Sequence, residues 1–377
     1  MFLWLSEMLR ADFGPLNVFR YVTFRTMGAM GTALVIAMVL YPWFIRRLQA
    51  KQIGQVIRSD GPESHFSKAG TPTMGGVLII VAVVMSVLLW CDLNSPYVWL
   101  ALLPTIVYGV LGFFDDYLKI RKSNSRGVTG RQKLAVQFGI AALMFWLMLS
   151  GMLGETLTNT TLYMPFADAR TLSFLLPPWL YAIIGSVCIV GTSNAVNLTD
   201  GLDGLAIGPV IVASAVFMIL CYLAGASFGF FADGAVHRFV VSDYLLIPKV
   251  DGIQELAPLL AAVIGAGVGF LWYNTYPAQV FMGDVGALAL GGTLGTVAVL
   301  SKNELLSMII GGIFVLEAAS VITQTTSFKL TGKHVFRMAP IHHHFEKKGW
   351  PEPRVTVRFW IISIILALVA LSSLKLR

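Results

Sequence analysis

Residues 97–119 read YVWLALLPTIVYGVLGFFDDYLK, an apolar run of membrane-spanning length that ends in two adjacent carboxylates, Asp115 and Asp116, and a lysine, Lys119. A hydrocarbon core takes roughly 20 apolar residues of helix to cross, so the stretch predicts a span whose polar end emerges at one surface. Similar runs recur along the chain and predict an all-α polytopic membrane protein of ten transmembrane helices, at 22–45, 74–90, 97–113, 134–149, 175–191, 205–223, 258–273, 286–300, 305–325 and 355–371. Composition agrees, because the 377 residues are 56% hydrophobic and only 12% charged, with a mean hydropathy of +0.75. Those values lie outside ordinary soluble domains. No stretch remains for a soluble module, so a single integral-membrane domain over 1–377 is expected. Glu7, Arg10, Asp12 and Arg20 precede the first long run without a small-residue cleavage site, so a cleaved signal peptide is not expected. Cys91, Cys188 and Cys221 have spacings that suit neither a disulfide framework nor a zinc site.

The net charge of +7 would suggest nucleic acid in a soluble protein, but here its distribution points elsewhere. The loops after the first, third and ninth spans hold 18 of the 27 lysines and arginines, whereas the four opposite loops hold only Arg170, Arg238, Lys249 and Lys302. The positive-inside bias then predicts both termini on the periplasmic side and the loops after odd-numbered spans in the cytoplasm. Every polar motif that looks chemical falls in those same loops. The opposite loops, such as 151–174 and 224–257, read as connectors.

If the helix of residues 97–113 continues past its apolar part, Asp115 and Lys119 share a face and Asp116 points about 100° away. A helix-end ion pair and a catalytic pair both fit that pattern. Asn197-Leu198-Thr199-Asp200-Gly201-Leu202-Asp203-Gly204 carries two carboxylates without a basic neighbour, and Gly201 and Gly204 let the backbone turn or approach a ligand. Unpaired carboxylates at an interface call for a cation or a donor group; Asp200 as a helix cap is the simpler reading. The stretch from Asn274 to Asp284 adds an amide, Phe281 as a ring able to stack on a base, and a carboxylate just after Gly283. Mg²⁺ takes one or two protein carboxylates and leaves its other positions to phosphate and water. Asp284 is therefore the first choice of metal ligand, with Asp200 and Asp203 as rivals.

His342, His343 and His344 lie in the most basic loop. Consecutive imidazoles cannot converge from a regular helix, so a three-histidine metal site is not expected, whereas donation or proton transfer to a diphosphate suits them. Lys68, in the polar loop leading to the second span, is a plausible phosphate or nucleoside contact. Glu317 is the main charge inside a predicted span, unlike the midplane clusters of a transporter.

These motifs, in this order, resemble the polyprenyl-phosphate N-acetylhexosamine-1-phosphate transferase superfamily over nearly the whole chain. Residues 68–76 and 340–350 resemble its phospho-N-acetylmuramoyl-pentapeptide transferases rather than a sister enzyme acting on UDP-GlcNAc. The resemblance implies Mg²⁺-dependent transfer of phospho-MurNAc-pentapeptide from UDP-MurNAc-pentapeptide to undecaprenyl phosphate, giving lipid I and UMP. It also implies a bacterial inner-membrane location, an active site facing the cytoplasm and a homodimer. Carried over residue by residue, it makes Asp115 and Asp116 the aspartate pair, Asp284 the Mg²⁺ ligand and His342, His343 and His344 the histidine cluster. Lys68, Asp200, Asp203, Asn274 and Phe281 match nucleoside-pocket positions, while Asn197, Lys119 and Lys133 match other polar positions of the active site. Direct attack by the lipid phosphate is the expected route, with a covalent acyl-phosphate as the alternative.

Overall fold

A computed structural model describes residues 1–9, 13–50, 70–122, 127–232 and 235–374. Hydrocarbon offers no partner for backbone N–H and C=O groups, so apolar segments satisfy them internally as helices. In chain order these are α1 (Phe2–Leu9), α2 (Val22–Ala50), α3 (Gly76–Trp90), α4 (Pro96–Arg121), α5 (Gly130–Leu149), α6 (Pro178–Thr199) and α7 (Ile207–Gly225). They continue as α8 (Val241–Leu245), α9 (Leu256–Asn274), α10 (Gly283–Leu300), α11 (Ser307–Ile310), α12 (Gly312–Thr331), α13 (Ile341–Glu346) and α14 (Glu352–Ser372).

Among the described residues, eight helices are long and apolar enough to cross a membrane: α2, α4, α5, α6, α7, α9, α10 and α14. Two of the ten expected spans differ from that standard. Helix α3 has 15 residues, which reaches only about 22 Å at 1.5 Å per residue. The expected span at 305–325 is divided at Gly311 into α11 and α12, and the second half of α12 carries Gln324, Thr325, Thr326, Ser327 and Lys329. Two connectors also hold small antiparallel hairpins that hydropathy does not reveal. One pairs β1 (Thr161–Tyr163) with β2 (Ser173–Leu175), and the other pairs β3 (Ser227–Ala232) with β4 (Ala235–Val240).

The centre of the bundle is α10, in which every residue from Val285 to Leu300 is buried. Its sequence, VGALALGGTLGTVAVL, is mostly small, and α4 and α6 pack along it. Small residues let helix backbones approach closely in lipid, where hydrophobic transfer gives no drive between helices. Hydrogen bonds add to this packing: Thr105 and Thr293 hydroxyls lie 2.6 Å apart between α4 and α10, and Ser193 donates to the Leu288 carbonyl at 2.8 Å between α6 and α10. Such bonds average about 0.6 kcal/mol each in membranes, so close packing carries most of the association.

This arrangement sets the ends of three helices side by side. Helix α4 runs eight residues beyond the expected boundary at 113, to Arg121, which carries Asp115, Asp116 and Lys119 on ordered helix. Helix α5 starts at a capping box, in which Thr129 accepts from the Gln132 amide and the Gln132 side chain accepts from the Thr129 amide. That cap fixes Lys133 one turn into α5. Asp284 is the second residue of α10.

Candidate active site

Asp115 and Asp116 are buried at the end of α4, and Asp284 joins them from α10. One carboxylate oxygen from each lies within 4.8 Å of the others. Lys119 Nζ is 2.6 Å from Asp115 Oδ2, 3.1 Å from Asp284 Oδ2 and 3.6 Å from Asp116 Oδ1. Lys133 Nζ reaches the same centre, 2.7 Å from Asp284 Oδ2 and 3.0 Å from Asp115 Oδ2. Backbone donors complete the cage: Val128 N–H donates to Asp115 Oδ1 at 2.6 Å and Val285 N–H to Asp116 Oδ2 at 3.3 Å.

Three carboxylates against two ammonium groups leave one negative charge in excess. Asp115 Oδ2 is buried between the two lysines, 2.6 Å from Lys119 Nζ and 3.0 Å from Lys133 Nζ. An all-oxygen donor set from two rigid helices suits a hard divalent ion. This acidic cluster could hold a metal.

Gly283 makes the approach of α10 to α4 possible. Its φ is +73°, and a Cβ there would sit 2.4 Å from Asp116 Oδ2. The Gly283 backbone amide also hydrogen-bonds Asp200, which follows α6. Burial, with the carboxylates of Asp284, Asp116 and Asp203 nearby, pushes Asp200 up to about 8. A bound cation would relieve that crowding.

The second group of predicted residues stitches two loops together. Asp203 Oδ2 accepts from the Ala278 amide at 3.0 Å, Asn274 Oδ1 accepts from the Gly204 amide at 3.0 Å, and Asn274 Nδ2 donates to the Val280 carbonyl at 2.9 Å. Both side chains are buried, so they hold the two loops together. The Phe281 backbone pairs with Pro72 and Gly75, which joins the segment before α3 to the same pair of loops. Asn197 lies one turn before Asp200, at the end of α6.

The three histidines diverge. His342 is buried against Gly201 and Glu317, the His343 ring nitrogen Nδ1 lies 2.6 Å from Glu346, and His344 Nδ1 accepts from the Arg337 amide at 3.0 Å. Desolvation, Lys348 and Arg337 hold His344 below the ordinary imidazole value.

The glycosyl transferase family 4 profile matches residues 98–302, and the phospho-N-acetylmuramoyl-pentapeptide-transferase signature 1 matches residues 68–80. The chain is 55% identical over 366 residues to the phospho-N-acetylmuramoyl-pentapeptide-transferase of Sorangium cellulosum (strain So ce56), covering 96% of this chain and 95% of that protein. It is 53% identical over 372 residues to the namesake of Syntrophus aciditrophicus (strain SB), covering 98% of each, and 53% identical over 373 residues to that of Geobacter sp. (strain M21), again covering 98% of each. The chain belongs to the phospho-N-acetylmuramoyl-pentapeptide transferase family, MraY.

In this MraY chain several of the predicted residues are in contact. Asp115, Asp116, Lys119, Lys133 and Asp284 make the centre, Asp200 touches it through Gly283, and Gly201 leads to His342. Lys68 lies outside the described residues. Sequence reasoning missed Glu352, whose Oε1 accepts from the Asp203 amide at 2.7 Å. Its position between Pro351 and Pro353, 149 residues from Asp203, gives no local signal. An apolar groove between α5 and α6 is lined by Phe138, Phe145, Trp146 and Ile183, with no ionisable side chain among its lining residues.

Proposed function

We infer that the three-carboxylate, two-lysine centre is where this MraY enzyme transfers phospho-MurNAc-pentapeptide from its UDP carrier to undecaprenyl phosphate, forming lipid I and releasing UMP. The observation that carries the reading is the convergence of Asp115, Asp116 and Asp284 with Lys119 and Lys133 on one point. Asp284, with Asp115 and Asp116 in reach, would hold Mg²⁺, which supplies charge neutralisation at the diphosphate when bound. Lys119 and Lys133 offset the negative charge of the transferring phosphoryl group, and Asp115 or Asp116 orients the lipid phosphate. An oxygen of that phosphate attacks the sugar-linked phosphorus, and UMP leaves. One phosphoanhydride replaces another, so the protein contributes positioning and charge stabilisation. Asp200, Gly201, Asp203, Asn274 and Phe281, together with Asn197 and Lys68, are assigned to the nucleoside, and His342, His343 and His344 to the charge of the diphosphate.

The same reading makes 1–377 one integral-membrane domain with ten spans, both termini periplasmic and the active site open to the cytoplasm of a bacterial inner membrane. The one-sided loop charge supports that orientation. A homodimer rests on family resemblance alone, and sedimentation in detergent would count the copies. The deciding assay is UMP release with undecaprenyl phosphate and either UDP-MurNAc-pentapeptide or UDP-GlcNAc. Turnover is expected only with the first; release only with the second would overturn the substrate assignment.

A further inference from the structure

Glu317 lies within α12 and is fully buried, as is His342 at 1% exposure. A carboxylate inside a bundle costs several kcal/mol unless it is paired, and an ionisable residue at such a place usually serves function. Among the described residues no lysine or arginine pairs with Glu317. The described group closest to its carboxylate is His342, whose Nδ1 is 3.1 Å from Oε2. The approach is electrostatic, because neither carboxylate oxygen and neither ring nitrogen makes an aligned hydrogen bond.

The opposite edge of the ring faces the active site. A Cβ at position 201 would lie 2.2 Å from His342 Nε2, so the imidazole rests directly on the Asp200–Gly201 backbone. The His343 ring covers one face of His342, with centroids 4.1 Å apart, and His343 is engaged by its own carboxylate, Glu346. Glu317 is thus the group that addresses Nδ1, while Nε2 is turned to the loop that joins the acidic centre.

We propose that Glu317 is a positioning residue: through Nδ1 it fixes the orientation and proton placement of His342, so that Nε2 is presented to the substrate side of the 200–204 loop. A carboxylate at one imidazole nitrogen favours the proton there and sets what the other nitrogen can do. The proposal rests on the reading that His342 serves the transfer reaction.

Two measurements test it on the full chain in nanodiscs. Nitrogen-15 NMR of labelled histidine, with the His342 signal assigned from His342→Gln, should show Nδ1 protonated in the unsubstituted protein and its signals moved in Glu317→Gln. A neutral ring protonated only at Nε2 would overturn the proposal, and this reading needs no variant of Glu317 to fold. In the UMP-release assay, Glu317→Gln should lower kcat about 10- to 100-fold, the range for outer-shell partners of a working imidazole, and leave KM for UDP-MurNAc-pentapeptide within about threefold. In the His342→Gln background, Glu317→Gln should add no further loss; an equal loss there would show that Glu317 acts independently. If the unsubstituted protein released no UMP, the functional reading would fail, and the NMR result would still decide the pair.

Discussion

Lys133 on α5 donates a 2.7 Å hydrogen bond to Asp284 on α10, across 151 residues of sequence. One ammonium group therefore sits inside the carboxylate cluster that could hold a metal, and it offsets part of that cluster's charge.

Replacing it should separate two roles. Lys133→Met removes a positive charge from a cluster that already has one negative charge in excess, so Mg²⁺ half-saturation should fall several-fold while turnover drops about 100-fold, the usual cost of one preorganised charge-stabilising group. Asp284→Asn should nearly abolish turnover. Initial rates of UMP release across a Mg²⁺ titration check both; activity retained by Asp284→Asn with unchanged Mg²⁺ dependence would remove Asp284 from the metal site.

Gly283→Ala should be costly at a place where Gly→Ala is ordinarily mild. The backbone there has φ of +73°, which costs an L-residue about 1–2 kcal/mol, and the added methyl meets Asp116. Gly31→Ala, on α2 with open space around it, serves as the control and should be neutral or stabilising. Thermal unfolding in detergent should rank them so. Equal midpoints would show that Gly283 is not under constraint.

Sidedness can be read with single cysteines. Lys122, exposed at the end of α4, and Met152, 71% exposed in the opposite connector, should report different compartments. Cys91 and Cys221 are buried, and replacing the partly buried Cys188 lowers the background. An impermeant maleimide on spheroplasts should label Met152→Cys directly and Lys122→Cys only after lysis. The reverse pattern would invert the topology.

Far from the acidic centre, Lys302 is buried after α10 and donates to the Asn159 carbonyl and, at 2.8 Å, to Tyr181 Oη. Burial pushes Lys302 down to about 8 from its ordinary 10.5. Between those values the unfolded chain binds more protons than the folded one, so the lysine's contribution to stability rises with pH through that window and then levels off. The thermal midpoint should therefore gain on that of Lys302→Met as pH goes from 8 to 10.5. A constant difference between the two would disprove a depressed lysine.

The membrane class was legible in the sequence because it depends on runs of apolar side chains, which are local. So was the pairing of Asp115 with Lys119, since an i,i+4 spacing fixes it once α4 continues past its apolar part. The break at Gly311 was not legible, because hydropathy averages over the residues where the helix axis is interrupted. Nor was the way Asp203 and Asn274 tie two loops together, since only the meeting of those distant loops supplies their partners. By itself, the sequence determined that helices form, which loops carry the charge and which polar motifs stand apart from the apolar runs. Tertiary structure alone decided that Lys133 meets Asp284 and that Glu317 meets His342. Those meetings follow from how small-residue faces pack around α10 and bring separate helix ends to one point, which no local spacing encodes.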